Sequence, residues 1–135
     1  MEAETLQTLE DTLLIVDDEP LMTDLFEKFM SRRGFRVFTA ATGTEALQIV
    51  EREKDRIRLV ITDMTMPSMD GIALARELEK LAPSLPVMIA TGHDADLESA
   101  GGPPNIVAVV RKPYRNHLLI ERIREVLNAH SAGAS

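Results

Sequence analysis

The sequence predicts a doubly wound α/β domain, in which helices cover both faces of a five-stranded parallel sheet. One observation predicts this fold class, and two more predict a single folded domain. Short apolar runs of strand length alternate along the chain with segments of helical periodicity. The length of 135 residues suits one domain with one hydrophobic core. The composition, 44% hydrophobic and 27% charged, is that of an ordinary folded protein.

Five apolar runs are short enough to be strands, and residues that favour turns or helix starts separate them. The predicted strands are TLLIV (12–16), FRVFTA (35–40), IRLVIT (57–62), PVMIA (86–90) and IVAVV (106–110). Because helical segments alternate with these strands, the sheet is expected to be parallel.

Amphipathic spacing and helix-boundary residues mark five helical segments. Pro20 suits the first turn of a helix, since its missing N–H costs nothing there, and Gly34 ends that helix. Thr42 followed by Glu45 is the pattern of a capping box. The five predicted segments begin at Pro20, span 43–53 and 72–82, lie as a short helix within 91–105, and span 116–130.

Outside the folded part, residues 1–11 are predicted to be a polar leader or linker and residues 131–135 a flexible tail, so that 12–130 form the domain. The net charge of −7 argues against direct binding of nucleic acid or anionic membranes. The chain has no cysteine, which excludes disulfides and thiolate chemistry and fits a cytoplasmic location. No apolar run reaches the roughly 18 residues of a membrane span, and the acidic N-terminus does not resemble a signal peptide.

Four of the five predicted strands end in a polar group. The carboxyl ends of parallel strands meet at one edge of the sheet, and ligands bind there near the point where strand order reverses. These side chains are therefore expected to converge. The groups in question are Asp17 and Asp18 after the first strand, Asp63 after the third, Thr91 after the fourth, and Arg111-Lys112-Pro113 after the fifth.

Three carboxylates facing one lysine predict a bound cation, because clustered carboxylates stay ionised only when positive charge shares their site. Ligands that are all oxygen suit a hard divalent ion, and Mg²⁺ is the expected one. Asp17, Asp18 and Asp63 carry three negative charges, which Mg²⁺ and Lys112 together would balance. An incoming phosphoryl group could then complete the metal shell beside Lys112 and Thr91, an arrangement that suits phosphoryl transfer.

Four sequence motifs resemble those of the receiver domain of bacterial two-component response regulators. They occur in the expected order, each after its expected strand, and the resemblance covers roughly residues 11–130. The motifs are VDDE (16–19), TDMTMPSMDG (62–71), TG (91–92) and RKPY (111–114). The resemblance implies a flavodoxin-like fold with strand order 2-1-3-4-5.

The resemblance also implies the chemistry of the acidic residues. Asp63 matches the phosphoacceptor, which attacks the phosphorus of a histidine kinase's phospho-histidine. Asp18, Asp63 and the backbone carbonyl of Thr65 match the direct Mg²⁺ ligands, and Asp17 matches a carboxylate that acts through water. The domain would catalyse only its own phosphorylation and slow dephosphorylation, so it is not expected to be an enzyme in the usual sense.

On the fourth and fifth strands, the resemblance implies how the phosphoryl group is held and sensed. Lys112 matches the lysine that contacts the phosphoryl oxygens, and the resemblance implies that its bond to Pro113 is cis. Thr91 matches the switch hydroxyl. Two features depart from the family pattern. Val109 stands where the family usually has a switch aromatic, and a GGPPN stretch follows a short fourth helix. Switching is therefore expected to rest on Thr91 and on the segment 92–105.

The implied partners are a histidine kinase or a histidine phosphotransfer domain and a downstream partner of unknown identity, with a phosphorylation-dependent dimer left open. The sequence is compatible with a stand-alone response regulator or with a receiver from a hybrid sensor kinase. A metal-dependent phosphatase would also use strand-end aspartates, but such enzymes usually carry a second Asp where this chain has Thr65. A pseudo-receiver tends to lose the acceptor or the lysine, and this chain keeps Asp63 and Lys112. No phosphate-binding P-loop motif is present.

Three local alternatives weaken the assignment of single residues. Asp17 and Asp18 could be acids at a helix start, and Asp63 could be a turn residue. His93 fits a solvated loop position better than a catalytic one. The helix-start interpretation of Asp17 and Asp18 loses weight when Asp63 and Lys112 are considered with them.

Overall fold

A computed structural model describes residues 11–92, 102–113 and 115–134. Its strands are β1 (Thr12–Val16), β2 (Arg36–Ala40), β3 (Ile57–Asp63), β4 (Val87–Thr91) and β5 (Ile106–Arg111). Its helices are α1 (Pro20–Arg32), α2 (Gly43–Glu53), α3 (Gly71–Leu81) and α4 (Asn116–Ala134).

The strands form one parallel sheet in the order β2-β1-β3-β4-β5, which confirms the predicted fold class and strand order. The chain runs outward from β1 to β2 and then returns across β1 to β3. The strand order therefore reverses at β1 and β3, and the carboxyl ends of these two strands border the crevice where ligands bind in such sheets.

The sheet separates two hydrophobic clusters, which explains why its central strands are apolar on both faces. Successive side chains of a strand point to opposite faces. In β1, Leu14 and Val16 belong to the cluster that includes residues of α2 and α3, whereas Leu13 and Ile15 belong to the cluster that includes residues of α1 and α4. Both clusters help to fix the direction in which β1 delivers the residues that follow it.

Helix α1 begins at Pro20 as predicted and ends at Arg32, and Gly34 follows with a φ of 93°. Its buried residues are Thr23, Phe26 and Met30. Leu21 and Leu25, which share the apolar periodicity used to predict this helix, are 70% and 56% exposed. Periodicity identified the helix correctly, but it did not show that these two leucines lie outside the core.

Helix α2 has the predicted bounds, and its capping residues interact nearly as predicted. The Thr42 side-chain oxygen accepts a hydrogen bond from the backbone N–H of Glu45 at 3.1 Å. The Glu45 carboxylate accepts from the N–H of Ala41 at 2.8 Å, one residue before the cap, where a standard capping box would use Thr42. These two bonds fix the start of α2 beside the end of β2.

Helix α4 continues to Ala134, four residues beyond the predicted end at 130. The apolar periodicity on which that boundary rested ends with the last packed turn near Leu127, whereas alanines after that turn still favour helix. Four predicted features lie wholly or mainly outside the described residues: the leader at 1–11, the short helix within 91–105, His93 and Tyr114. The domain limits remain a prediction.

Among the described helices, none combines the length and apolar character required to cross a membrane.

Candidate functional site

The end of β1 holds Asp17 in a fixed and nearly buried position. The Asp17 N–H donates to the carbonyl of Ala40 at 3.0 Å, so the main chain stays in register with the end of β2. The Asp17 carboxylate accepts from the N–H of Glu19 at 3.0 Å, and its side chain is only 3% exposed. Asp18, the next residue, is exposed. The two aspartates thus occupy different environments at the same edge of the sheet.

The end of β3 presents Asp63 at the start of a tightly closed loop. Asp63 pairs with Ala90 of β4, and the N–H of Met64 donates to the Ala90 carbonyl at 2.8 Å. The N–H of Gly71 donates to the Met64 carbonyl at 2.8 Å, which closes the loop at its base. Thr65 lies in this loop with its side chain exposed.

The end of β5 brings Lys112 back over the two acidic strand ends. The Lys112 N–H donates to the Thr91 carbonyl at 3.0 Å, and the Lys112–Pro113 peptide is cis, as predicted. The Lys112 Nζ lies 3.3 Å from an Asp63 oxygen and 3.5 Å from an Asp17 oxygen. Three strands therefore contribute to one cluster of charges.

Three carboxylates share this cluster. Asp17, Asp18 and Asp63 each offer an oxygen, and the three oxygens lie within 4.8 Å of one another. Lys112 contacts Asp17 and Asp63. When all four groups are ionised, the three carboxylates and the one ammonium have a net charge of −2. The donor set contains no nitrogen or sulfur, so it fits a hard divalent cation.

The electrostatics of Asp63 and Lys112 show that positive charge is in short supply. Burial raises the pKa of Asp63 above its ordinary value of 3.8; Lys112 lowers it, but Asp17 and Asp18 add to the increase. Burial would lower the pKa of Lys112, yet Asp17 and Asp63 outweigh burial and hold it above 10.5. The charged form of Lys112 is stabilised by two carboxylates, whereas the charged form of Asp63 is stabilised by one lysine and destabilised by two neighbouring carboxylates. A further cation would therefore favour the ionised form of Asp63.

The predicted switch residue Thr91 and the position of the missing switch aromatic, Val109, lie on the neighbouring strands. Thr91, the last residue of β4, is 2% exposed and pairs with Arg111. Val109, in β5, pairs with Ile89 of β4, and 42% of its surface is exposed. The sequence did not indicate that the backbone N–H of Glu19 would hold the Asp17 carboxylate. The feature that could have indicated this bond is the helix start at Pro20, because the first N–H groups of a helix have no partner within it and lie just after the acidic pair.

Comparisons with known proteins agree with this geometry. The family model "Response regulator receiver domain" matches residues 13–124. Transcriptional regulatory protein GlrR of Escherichia coli (strain K12) is 34% identical over 116 residues, which are 85% of this chain and 26% of that protein. Sensor kinase CckA of Brucella abortus (strain 2308) is 32% identical over 117 residues, which are 86% of this chain and 12% of that protein. This chain therefore spans about a quarter or less of these relatives.

A solved structure extends the likeness to three dimensions. The response regulator receiver domain protein from Clostridium thermocellum has a TM-score of 0.81 at 31% identity, and the match covers 90% of this chain and 98% of that one. Sequence, sheet order and fold all lead to the same family. The chain belongs to the response regulator receiver domain family of two-component signalling.

Proposed function

We propose that this domain is a switch that accepts a phosphoryl group on Asp63 from the phospho-histidine of a histidine kinase or a histidine phosphotransfer domain. One observation carries the proposal: the Asp63 carboxylate lies 3.3 Å from the Lys112 ammonium and within 4.8 Å of two further carboxylates. Membership of the receiver family supports the same role.

In the transfer step, an Asp63 carboxylate oxygen attacks phosphorus and forms an O–P bond. The P–N bond to the donor imidazole breaks, and the leaving nitrogen keeps the electron pair. The product is an aspartyl phosphate, a mixed anhydride. Lys112 is placed to balance charge on the phosphoryl oxygens, because its Nζ already lies beside Asp63. Most of the catalysis is then positioning and charge stabilisation.

Mg²⁺ is the cofactor that this cluster fits. Asp18, Asp63 and the Thr65 carbonyl would hold the ion directly, and Asp17 would hold it through water. When bound, Mg²⁺ supplies the positive charge that three carboxylates and a phosphoryl group together require. Lys112 alone leaves the carboxylates with an excess of negative charge.

The phosphorylated state would be sensed through Thr91. Its side chain is nearly buried at the end of β4, next to the strand that carries Asp63. Val109 cannot imitate an aromatic switch, since its β-branched side chain is small and restricted at χ1. The change of conformation therefore depends on Thr91 and on the segment that follows it, and it alters the binding of a downstream partner or of a second copy.

A surface for the phosphodonor lies beside the site. Leu21 and Leu25 are one helical turn apart on α1, both exposed, and α1 begins two residues after Asp18. An apolar stripe of this kind fits a helix of the donor. Leu21→Asp should slow phosphotransfer from a phosphorylated kinase domain more than phosphorylation by acetyl phosphate. Equal slowing with both donors would argue against this surface.

We propose that the domain serves its own phosphorylation and slow dephosphorylation rather than acting as an enzyme on other substrates, and that it works in the cytoplasm. Incubation with acetyl phosphate and Mg²⁺ should add the mass of one phosphoryl group, and EDTA should prevent the addition. A phosphomonoester such as p-nitrophenyl phosphate should not be turned over at a comparable rate. Rapid Mg²⁺-dependent turnover of the phosphomonoester without the added mass would favour a phosphatase instead.

A further inference from the structure

The start of α2 touches the loop that follows Asp63. Gly43, the first residue of α2, is buried. A Cβ atom at this position would lie 2.5 Å from Sδ, 3.1 Å from Cγ and 3.2 Å from Cβ of Met69. Among the described glycines, it is Gly34 that has a positive φ, so Gly43 is required by the space around it and not by its backbone conformation.

Met69 lies on the tip of that loop, which we call the acceptor loop and define as residues 64–70. The N–H of Met69 donates to the Pro67 carbonyl at 2.8 Å, and Ser68 between them has a φ of 67°. The base of the loop is closed by the bond from Gly71 to Met64. The base is thus fixed by a hydrogen bond, whereas the tip packs through Met69 against a different element.

That element is itself anchored to the acidic site. The side chain of Thr42 caps α2, and Glu45 accepts from the N–H of Ala41, so the start of α2 is fixed to the end of β2. The last residue of β2, Ala40, accepts the N–H of Asp17. The Gly43–Met69 contact therefore connects the acceptor loop to the strand end that holds Asp17.

We propose that Met69, packed on Gly43, is a positioning residue that braces the acceptor loop for Mg²⁺ binding. The proposal rests on the proposed function, in which Asp63 and the Thr65 carbonyl are metal ligands. Mg²⁺ requires nearly ideal octahedral geometry, so a small displacement of a ligand in this loop weakens binding. A rotamer change could move the Sδ and Cγ atoms of Met69 away from a Cβ at Gly43, but the Met69 Cβ at 3.2 Å moves only if the loop backbone shifts by a few tenths of an ångström.

The test is an NMR titration with MgCl₂ of the full chain, labelled uniformly with ¹⁵N and with [methyl-¹³C]methionine. Gly43→Ala should weaken Mg²⁺ binding about tenfold. This effect is expected if the added methyl group displaces the acceptor loop and, with it, the metal ligands. Gly102→Ala is the matched control, since its Cβ would meet the flexible end of Ile106 at 2.8 Å. Ile106 pairs with Val87 at the start of β4, at the edge of the sheet opposite the acidic cluster. The control should bind Mg²⁺ within about twofold of wild type, which corresponds to about 0.4 kcal/mol or less.

A second variant separates positioning from general destabilisation. Met69→Ala removes the two closest contacts, so Gly43→Ala should cost much less Mg²⁺ affinity in that background than in wild type. A merely structural role would lower stability in both backgrounds without this rescue of affinity. If Gly43→Ala does not fold, Met69→Ala alone decides: it should weaken Mg²⁺ binding, and unchanged affinity would overturn the brace.

The Met69 methyl signal gives a direct readout in the wild-type protein. It should shift on addition of Mg²⁺, and the shift should saturate with the same dissociation constant as the backbone signals of Asp63. Wild type that binds no Mg²⁺ would overturn the proposed function. Wild type that binds Mg²⁺ with the same affinity as Gly43→Ala would overturn only the brace.

Discussion

The ammonium nitrogen of Lys112 lies 3.3 Å from a carboxylate oxygen of Asp63. The two residues come from strands that are not neighbours, because β4 lies between β3 and β5. Their contact therefore depends on the whole carboxyl edge of the sheet. It also sets the local charge, since the same lysine lies 3.5 Å from Asp17.

Removal of Lys112 should affect stability and phosphorylation differently. Lys112→Ala leaves Asp17 and Asp63 without the lysine they contact, and we expect metal-free stability to fall by about 1–2 kcal/mol, less than for a fully buried pair. Mg²⁺ should restore most of this loss and should still bind. Phosphorylation by acetyl phosphate should fall strongly. Urea unfolding with and without Mg²⁺ measures the first effect, and a variant as stable as wild type in EDTA would contradict the charge argument.

The raised pKa of Asp63 predicts how metal-free stability varies with pH. The folded state holds the Asp63 proton more tightly than the unfolded chain, so ionisation disfavours folding. The loss of stability is absent below the ordinary pKa of 3.8, increases as the pH rises above that value, and is complete above the raised pKa of the folded protein. Asp63→Asn should therefore be more stable than wild type at neutral pH in EDTA, and the difference should shrink in acid.

Chemical unfolding across this pH range measures the Asp63 effect. Asp24→Asn, at an exposed position on α1, controls for the removal of one negative charge from a chain of net charge −7. If the two variants gain the same stability at neutral pH, the effect belongs to net charge and not to the site.

The two aspartates after β1 should contribute unequally to Mg²⁺ binding. Asp18 is exposed and free to approach an ion, whereas Asp17 is 3% exposed and already contacts Lys112 and the Glu19 N–H. Asp17→Asn, the loss of an indirect ligand, should weaken Mg²⁺ binding about tenfold, and Asp18→Asn, the loss of a direct ligand, should weaken it more. Titration of both variants decides; wild-type affinity in both would refute the metal assignment.

Thr91 should carry the response to phosphorylation without being needed for it. Thr91→Ala should still accept a phosphoryl group on Asp63, because the hydroxyl is not the nucleophile, but it should lose the conformational response. Hydrogen exchange with and without beryllofluoride measures that response, and we expect protection across 91–102 to exceed that across 106–110. Val109→Tyr should not be required for it. A response concentrated in β5 and insensitive to Thr91→Ala would contradict this route.

Much of this molecule could be predicted from local patterns in the sequence. The five strands, the capping of α2 by Thr42 and the meeting of Asp63 with Lys112 follow from apolar periodicity and from parallel strand order. The exposure of Leu21 could not be predicted, because periodicity defines a helix face without showing what covers it. The contact of Met69 with Gly43 depends on side-chain packing between distant segments, which no local pattern describes.

The most direct test of the account is to locate the phosphoryl group. After incubation with acetyl phosphate and Mg²⁺, borohydride reduction converts an aspartyl phosphate to homoserine, which peptide mass spectrometry can assign to a residue. The account predicts conversion at Asp63, and none in Asp63→Asn or in the presence of EDTA. Conversion at Asp17 or Asp18 in the wild type, or undiminished phosphoryl incorporation in Asp63→Asn, would contradict it.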